Sequence, residues 1–309
     1  QGSGGIVFLC AGHRTDASRQ ATLPAHLFPP AVARDTARRG RPAGLDGTQG
    51  GKTLRTQAAL RRPALMAGWT LEPDYRHLAA DFGSLDSVFA LEGERLTRDP
   101  LSEVIRIERD GVRYYVKRYR SAGKGLRRYL ARPRIKAEWQ NLKRFEKWGI
   151  PTAEVVAWGL ERKAGAFQRG AMITRELPGT EDLSVLACNR DPRLKDPRWV
   201  DGVSRQIAKA TRLMHDQHFT HNDLKWRNLL VDDQPLVYFI DCPNGAFWWS
   251  FMLRYRITKD LACLDKVAKY HLSRTQRLRF YLQYRRRRHL NESDKKRIRQ
   301  VVAFFEGRE

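Results

Sequence analysis

Two hydrophobic spacings alternate along the chain beyond residue 86, and neither is sustained over residues 1–65. Apolar clusters predict strands at Ser87–Leu91 and Val104–Glu108, and Asp110-Gly111 supplies a hairpin turn into a third at Val112–Tyr119. These three read as a β-meander. The period then lengthens: Ile135, Leu142, Phe145 and Trp148 form a helical stripe over about Arg134–Trp148, stopped by Gly149 and Pro151. Strands follow at Pro151–Trp158 and Ala171–Gly179, and the polar, proline-bearing residues 180–198 predict loops with one short helix. Val203, Ile207, Ala210 and Met214 keep helical spacing from Trp199 to His218. A short apolar strand, Leu236–Ile240, comes next, and Thr258–Leu264 predicts the opening of a further helix with Asp260 near its start.

Composition changes this picture in two ways. The 41% hydrophobic residues of a 309-residue chain can form a core, yet residues 1–65 are rich in Arg, Ala, Gly and Pro and contain no methionine. That zone is expected to be a poorly ordered extension, with the folded body starting near Met66. The chain carries 58 Lys and Arg against 34 Asp and Glu, a formal charge of +24, which selects polyanionic partners by sign without naming them. Four cysteines at 10, 188, 242 and 263 lack metal-ligand spacing and are read as reduced thiols with no zinc site. No run of about 18 apolar residues is present, so no membrane span is expected.

The candidate chemistry centres on His221-Asn222-Asp223-Leu224-Lys225-Trp226-Arg227-Asn228, which has the H-x-D-L-x-x-x-N spacing of a phosphoryl-transfer loop. In that pattern the aspartate takes the acceptor's proton and the asparagine holds a magnesium ion. A second acid, Asp241, ends the next strand, where the other metal ligand is needed. Upstream, Lys117 lies on a strand face with Tyr115 and Tyr119, and Glu138 falls within the buried stripe of the long helix. Read apart, they are an exposed strand lysine and a glutamate at the stripe's edge; read together, they are an ion pair that holds the lysine over a nucleotide's phosphates. Arg175, Glu176 and Leu177, in the last part of the strand from Ala171, are the candidates for the hinge that meets adenine. Two motifs are set aside. Gly50-Gly51-Lys52-Thr53 would need its leading glycine at Asp46, and Asp81-Phe82-Gly83 precedes the loop it should follow.

Three stretches stay open between partner binding and bland roles. Arg118–Arg134 interleaves cations with Leu126, Tyr129 and Leu130 and suits either a phosphate-rich surface or a solvated loop. Ala246–Arg256 sets aromatics beside arginines, as an interfacial surface or as core. The run Tyr284–His289, like Lys295-Lys296-Arg297, is a partner site or a solvated face.

The order Lys117, Glu138, hinge, His221–Asn228 and Asp241 is similar to that of the protein-kinase-like fold. Ala137-Glu138-Trp139-Gln140-Asn141-Leu142, Gly149-Ile150-Pro151-Thr152, Ile173–Gly179 and Ile240-Asp241 resemble more specifically the bacterial lipopolysaccharide kinase family, over about residues 86 to 270. The resemblance implies an α+β, two-lobed fold: an N-terminal antiparallel sheet lobe with one long helix (66–176) and a mainly helical C-terminal lobe (177–309). It implies ATP as donor, Mg2+ as cofactor and a hydroxyl of an inner-core heptose or Kdo sugar as acceptor. It further implies a cytoplasmic enzyme peripheral on the anionic inner membrane, with no nucleic acid partner. It makes Asp223 the base, Lys225 a charge neutraliser, Asn228 and Asp241 the metal ligands, and Lys117 with Glu138 the phosphate-binding pair. His221 then braces the loop, and Asp260 anchors its backbone. Leu91–Thr97 departs from the family pattern with a single glycine, Gly93, over the phosphates, and Cys242-Pro243 follows Asp241 where phenylalanine and glycine are usual. A protein or small-molecule acceptor, or a non-catalytic kinase-like membrane- or nucleic-acid-binding module, are the alternatives.

Overall fold

In a computed structural model the described residues are 65–98, 102–120, 129 and 132–307, which belong to a unit running from Pro63 to Glu309. The expected extension, with Gly50–Thr53 and Cys10, lies outside them, as does most of the basic loop between Arg120 and Arg132. Six strands form one antiparallel sheet in the order β1-β5-β6-β4-β3-β2. They are β1 (Leu65–Leu71), β2 (Glu94–Arg98), β3 (Ser102–Arg109), β4 (Val112–Tyr119), β5 (Val155–Lys163) and β6 (Ala166–Arg175). The turn from β3 to β4 places Asp110 and Gly111 at φ 52° and 73°, the left-handed pair that a two-residue hairpin requires.

The sheet is covered on both faces, and this overturns one expectation. Ser87–Leu91 is not a strand: residues Leu85–Ala90 form a helix, α2, after the short α1 (Ala79–Phe82). Ser84 caps α2 by accepting from the Ser87 N–H, while the Ser87 side chain bonds back to the Ser84 backbone. This reciprocal box stabilises a helix start that a Val-Phe pair had masked. Leu85 and Val88 then bury with Phe82 against Ile105, Tyr114, Val116 and Ile173 of the sheet. Phe82 is therefore core, not part of a metal-binding triplet. The strand expected from Pro151 starts at Val155.

On the opposite face lies α3 (Arg134–Lys147), with Ile135, Leu142 and Phe145 buried as the stripe predicts. β4 alternates accordingly. Tyr114 and Val116 face the α1–α2 side, so Lys117 and Tyr119 project toward α3.

The second lobe is mainly helical: α4 (Leu183–Cys188), α5 (Pro197–Asp216), α6 (Ser250–His271), α7 (Arg274–Arg285) and α8 (Glu292–Val302). Short strands β7 (Glu181–Asp182), β8 (Phe219–Thr220), β9 (Leu229–Val231), β10 (Val237–Phe239) and β11 (Ala246–Phe247) frame the loop from His221. α6 begins eight residues before the expected Thr258, which moves Asp260 from a helix start to mid-helix. Part of the basic run near residue 285 is paired within the protein, because Arg285 and the exposed Arg287 both reach the buried Asp294.

Candidate active site

The site is assembled where β4, α3, the loop between β8 and β9, and the end of β10 converge. Lys117 Nζ lies 2.9 Å from Glu138 Oε1 and 2.6 Å from Asp241 Oδ1, joining strand, helix and loop through one ammonium. Glu138 is 3% exposed, and its second oxygen accepts from the Tyr119 hydroxyl at 3.2 Å. Burial alone disfavours the Lys117 charge, but the facing Glu138, Tyr119 and Asp241 outweigh it and raise its pKa above the ordinary lysine range. Burial pushes the Glu138 carboxyl up against the opposing pull of Lys117. Asp241 is held below the usual carboxylate range, since the neighbouring ammonium overcomes the cost of its own burial.

Local geometry brings the loop residues together. Asn222 and Asp241 adopt left-handed backbone angles, φ 63° and 53°, conformations that Asn and Asp tolerate best among non-glycine residues. Asp223 Oδ1 meets Lys225 Nζ at 2.7 Å, and its other oxygen lies 3.7 Å from Arg227 Nη2. Asn228 donates its amide to the Asp223 carbonyl at 2.8 Å, which fixes the side chain and keeps its carbonyl oxygen as the acceptor end. Asp260 is fully buried. It accepts the backbone N–H groups of His221 and Asn222, both at 2.8 Å, and lies 3.3 Å from His215 Nε2.

Residues that the sequence did not flag complete the frame. Asn141, one turn beyond Glu138 on α3, donates to the carbonyls of Cys242 (2.7 Å) and Gly245 (3.0 Å), fastening the Asp241 turn to the helix. Gly245 is required there, because a Cβ would fall 2.5 Å from both Cys242 Sγ and Phe219 Cζ. Arg227 was visible only as a cation four residues after Asp223. The hinge candidates are partly committed: the N–H of Arg175 donates to Glu154 and that of Glu176 to Arg113. Gly93 lies so close to β3 that a Cβ would meet the Arg106 carbonyl at 2.5 Å, so this glycine serves backbone packing.

His221 is fully buried and stacks on Phe145 with centroids 6.1 Å apart. Burial lowers its pKa from the ordinary 6.5. The unfolded chain therefore takes up a proton below about pH 6.5 that the folded chain resists, and stability falls as the pH drops from there toward the lowered folded value. A His221→Phe protein is expected to lose less stability between pH 6.5 and about 5 than the parent, measured by denaturant titration across that range. Parallel curves for the two proteins would exclude this source.

The family model for the lipopolysaccharide kinase (Kdo/WaaP) family matches residues 85–284. The chain belongs to this family. Among curated relatives, the lipopolysaccharide core heptose(I) kinase WaaP of Pseudomonas aeruginosa is 28% identical over 231 residues, 70% of this chain and 86% of that one. The 3-deoxy-D-manno-octulosonic acid kinase of Actinobacillus succinogenes is 28% identical over 127 residues, 38% of this chain and 50% of the relative. A solved structure, WaaP in complex with acyl carrier protein, aligns with a TM-score of 0.60 at 27% identity and covers 78% of this chain and 97% of that chain. This lipopolysaccharide kinase is thus an ATP-using phosphotransferase with a protein-kinase-like fold.

Proposed function

We propose that this lipopolysaccharide kinase transfers the γ-phosphoryl group of ATP to a hydroxyl of an inner-core heptose or Kdo sugar. The observation that carries the reading is the double contact of Lys117 with Glu138 and Asp241, groups 21 and 124 residues away, directly beside the Asp223 loop. In this reading Asp223 receives the proton leaving the acceptor hydroxyl. Lys225 lies within 2.7 Å of that carboxylate and neutralises charge that builds on the transferring phosphoryl oxygens. Lys117, held by Glu138 and Tyr119, turns toward the donor's phosphates from a rigid strand. With the Arg175 and Glu176 N–H groups already engaged, Leu177 is the hinge position assigned to adenine.

A divalent metal fits the donor set. Asp241 offers carboxylate oxygens and Asn228 an amide oxygen, the hard ligands that Mg2+ takes when substrate phosphates complete its shell. When bound it would supply charge neutralisation and phosphate orientation. Asp241 would then share its charge between Lys117 and the cation.

Two partners are proposed with this reading. One is the anionic cytoplasmic face of the inner membrane, where a lipid-linked acceptor is met and the charge of +24 is favourable. The other is an acyl carrier protein, on the strength of the solved relative. A cavity of about 500 Å³ in the helical lobe, lined by Trp199, Val203, Leu261, Phe280, Ile298 and Val301, has the apolar character an acyl chain needs. The acceptor is tested by incubating the protein with ATP, Mg2+ and purified inner-core lipopolysaccharide, then analysing the core by mass spectrometry. Gain of one phosphate on a heptose or Kdo residue is expected, and an unchanged core with phosphate on another acceptor would refute the assignment.

A further inference from the structure

The segment after Asp241 leaves the loop as a short strand, packs Phe247 on Phe219 and Trp148, and enters α6 with Trp249 and Phe251 outside. Phe247 pairs in β11 with Phe219 of β8, and Trp248 donates its backbone N–H to the His218 carbonyl at 2.8 Å. Asn222, the residue before Asp223, donates its side-chain amide to the Asn244 carbonyl at 2.8 Å. The segment is therefore bound to the backbone of the loop itself. The two rings that follow face solvent: Trp249 is 68% and Phe251 73% exposed. Tyr255, one helical turn after Phe251, is 44% exposed, and Arg254 between them is also exposed.

Large rings at such exposure lose hydrophobic stabilisation unless something covers them. The surroundings indicate what does. A groove of about 650 Å³ adjoins Tyr255 between α6 and α8, lined by Arg254, Lys296 and Arg297 together with Ser293, Thr258 and one acid, Glu306. Trp and Tyr beside Arg and Lys is the composition that settles at a bilayer interface, with rings at headgroup depth and cations among the phosphates. A protein partner would be met by the same rings, but the open, cationic groove favours a repeated anionic headgroup.

We infer that Trp249, Phe251 and Tyr255 with Arg254, Lys296 and Arg297 form a docking surface for anionic phospholipid bilayers. It presents the Asp223 loop to acceptors embedded in the same membrane. The first half gives the membrane partner proposed above a defined surface, and the second half rests on the lipid-linked acceptor. The length of α6 between Phe251 and Asp260 couples the surface to the loop, because Asp260 holds the His221 and Asn222 N–H groups on the same helix. Docking and loop position share one rigid element.

The test uses the full chain and vesicles of phosphatidylethanolamine with phosphatidylglycerol, against phosphatidylcholine alone. The parent should sediment with the anionic vesicles and not with the neutral ones. A Trp249→Ser/Phe251→Ser protein should partition at least about tenfold more weakly, and Lys296→Gln/Arg297→Gln should weaken binding and flatten its salt dependence. Both variants should phosphorylate delipidated core oligosaccharide like the parent and lose rate only on vesicle-embedded glycolipid. Equal sedimentation of parent and both variants would overturn the docking surface, as would loss of acyl carrier protein binding by the variants with vesicle binding intact. If vesicle binding behaves as expected but no protein phosphorylates the oligosaccharide, the docking stands and the acceptor assignment fails.

Discussion

Replacing Asp223 by Ala is expected to lower kcat for phosphoryl transfer by about 10³-fold while leaving the fold and ATP affinity close to those of the parent. The kinetic part follows from the proposed role. A positioned base contributes about 10² to 10⁴ in rate, and the remaining groups still bind and orient the donor. The stability part follows from the observed environment. The Asp223 side chain retains 21% exposure, and its partners Lys225 and Arg227 are about half exposed, so removing the carboxylate leaves two cations that water can solvate. Parallel assays of turnover, ATP binding by calorimetry and thermal midpoint distinguish the two parts. A variant that turns over at the parent's rate would refute Asp223 as the base, and one that fails to bind ATP would show that the aspartate organises the donor site instead.

The largest stability loss is expected at Asp260. Its carboxylate is fully buried in mid-α6 and satisfies two backbone N–H groups of the loop, besides facing His215. Asp260→Ala leaves both N–H groups unpaired in the interior, a cost of about 2–6 kcal/mol in unfolding free energy at about 1–3 kcal/mol for each orphaned donor. Asn222 holds φ at 63° beside it, so the loop has little reason to keep its shape once the acceptor is gone. Asp260→Asn retains one acceptor oxygen and should lose about half as much. Urea denaturation measures both; a loss under about 1 kcal/mol for Asp260→Ala would show that water or a rearranged loop replaces the carboxylate. Activity should fall with stability here, the reverse of the Asp223 variant, because this residue positions the loop without reaching substrate.

The candidate site was legible because its loop is written in short-range spacing. His221, Asp223 and Asn228 lie within eight residues, and Asp241 ends the next strand, so their order survives any uncertainty about packing. Glu138 stood out as a charge within an apolar helical stripe, and Lys117 as a lysine on a strand of fixed alternation. Those signals are local consequences of helix and strand periods. β3 and β4 followed from the same periods and from the Asp110-Gly111 turn, whereas β5 and β6 overlap the expected strands only in part, at Val155–Trp158 and Ala171–Arg175.

Where the reading failed, the deciding contact was distant or the local signal ambiguous. Leu85–Ala90 has the Val and Phe of a strand, but a serine box and an uncovered sheet face made it helical. The true start of α6 was masked by a run of aromatics that suits several structures. Asn141 is an ordinary polar residue in sequence; its bonds to Cys242 and Gly245 cross more than a hundred residues. The sequence by itself determined the candidate loop, the acid after it and the elements that carry the lysine and glutamate, since each rests on a pattern of a few residues. Only the tertiary structure decided that Asp241 shares Lys117 with Glu138, that Asn141 fastens the turn after Asp241, and which aromatics of Ala246–Arg256 stay outside. Burial and pairing are properties of packed neighbours, and no spacing along the chain encodes them.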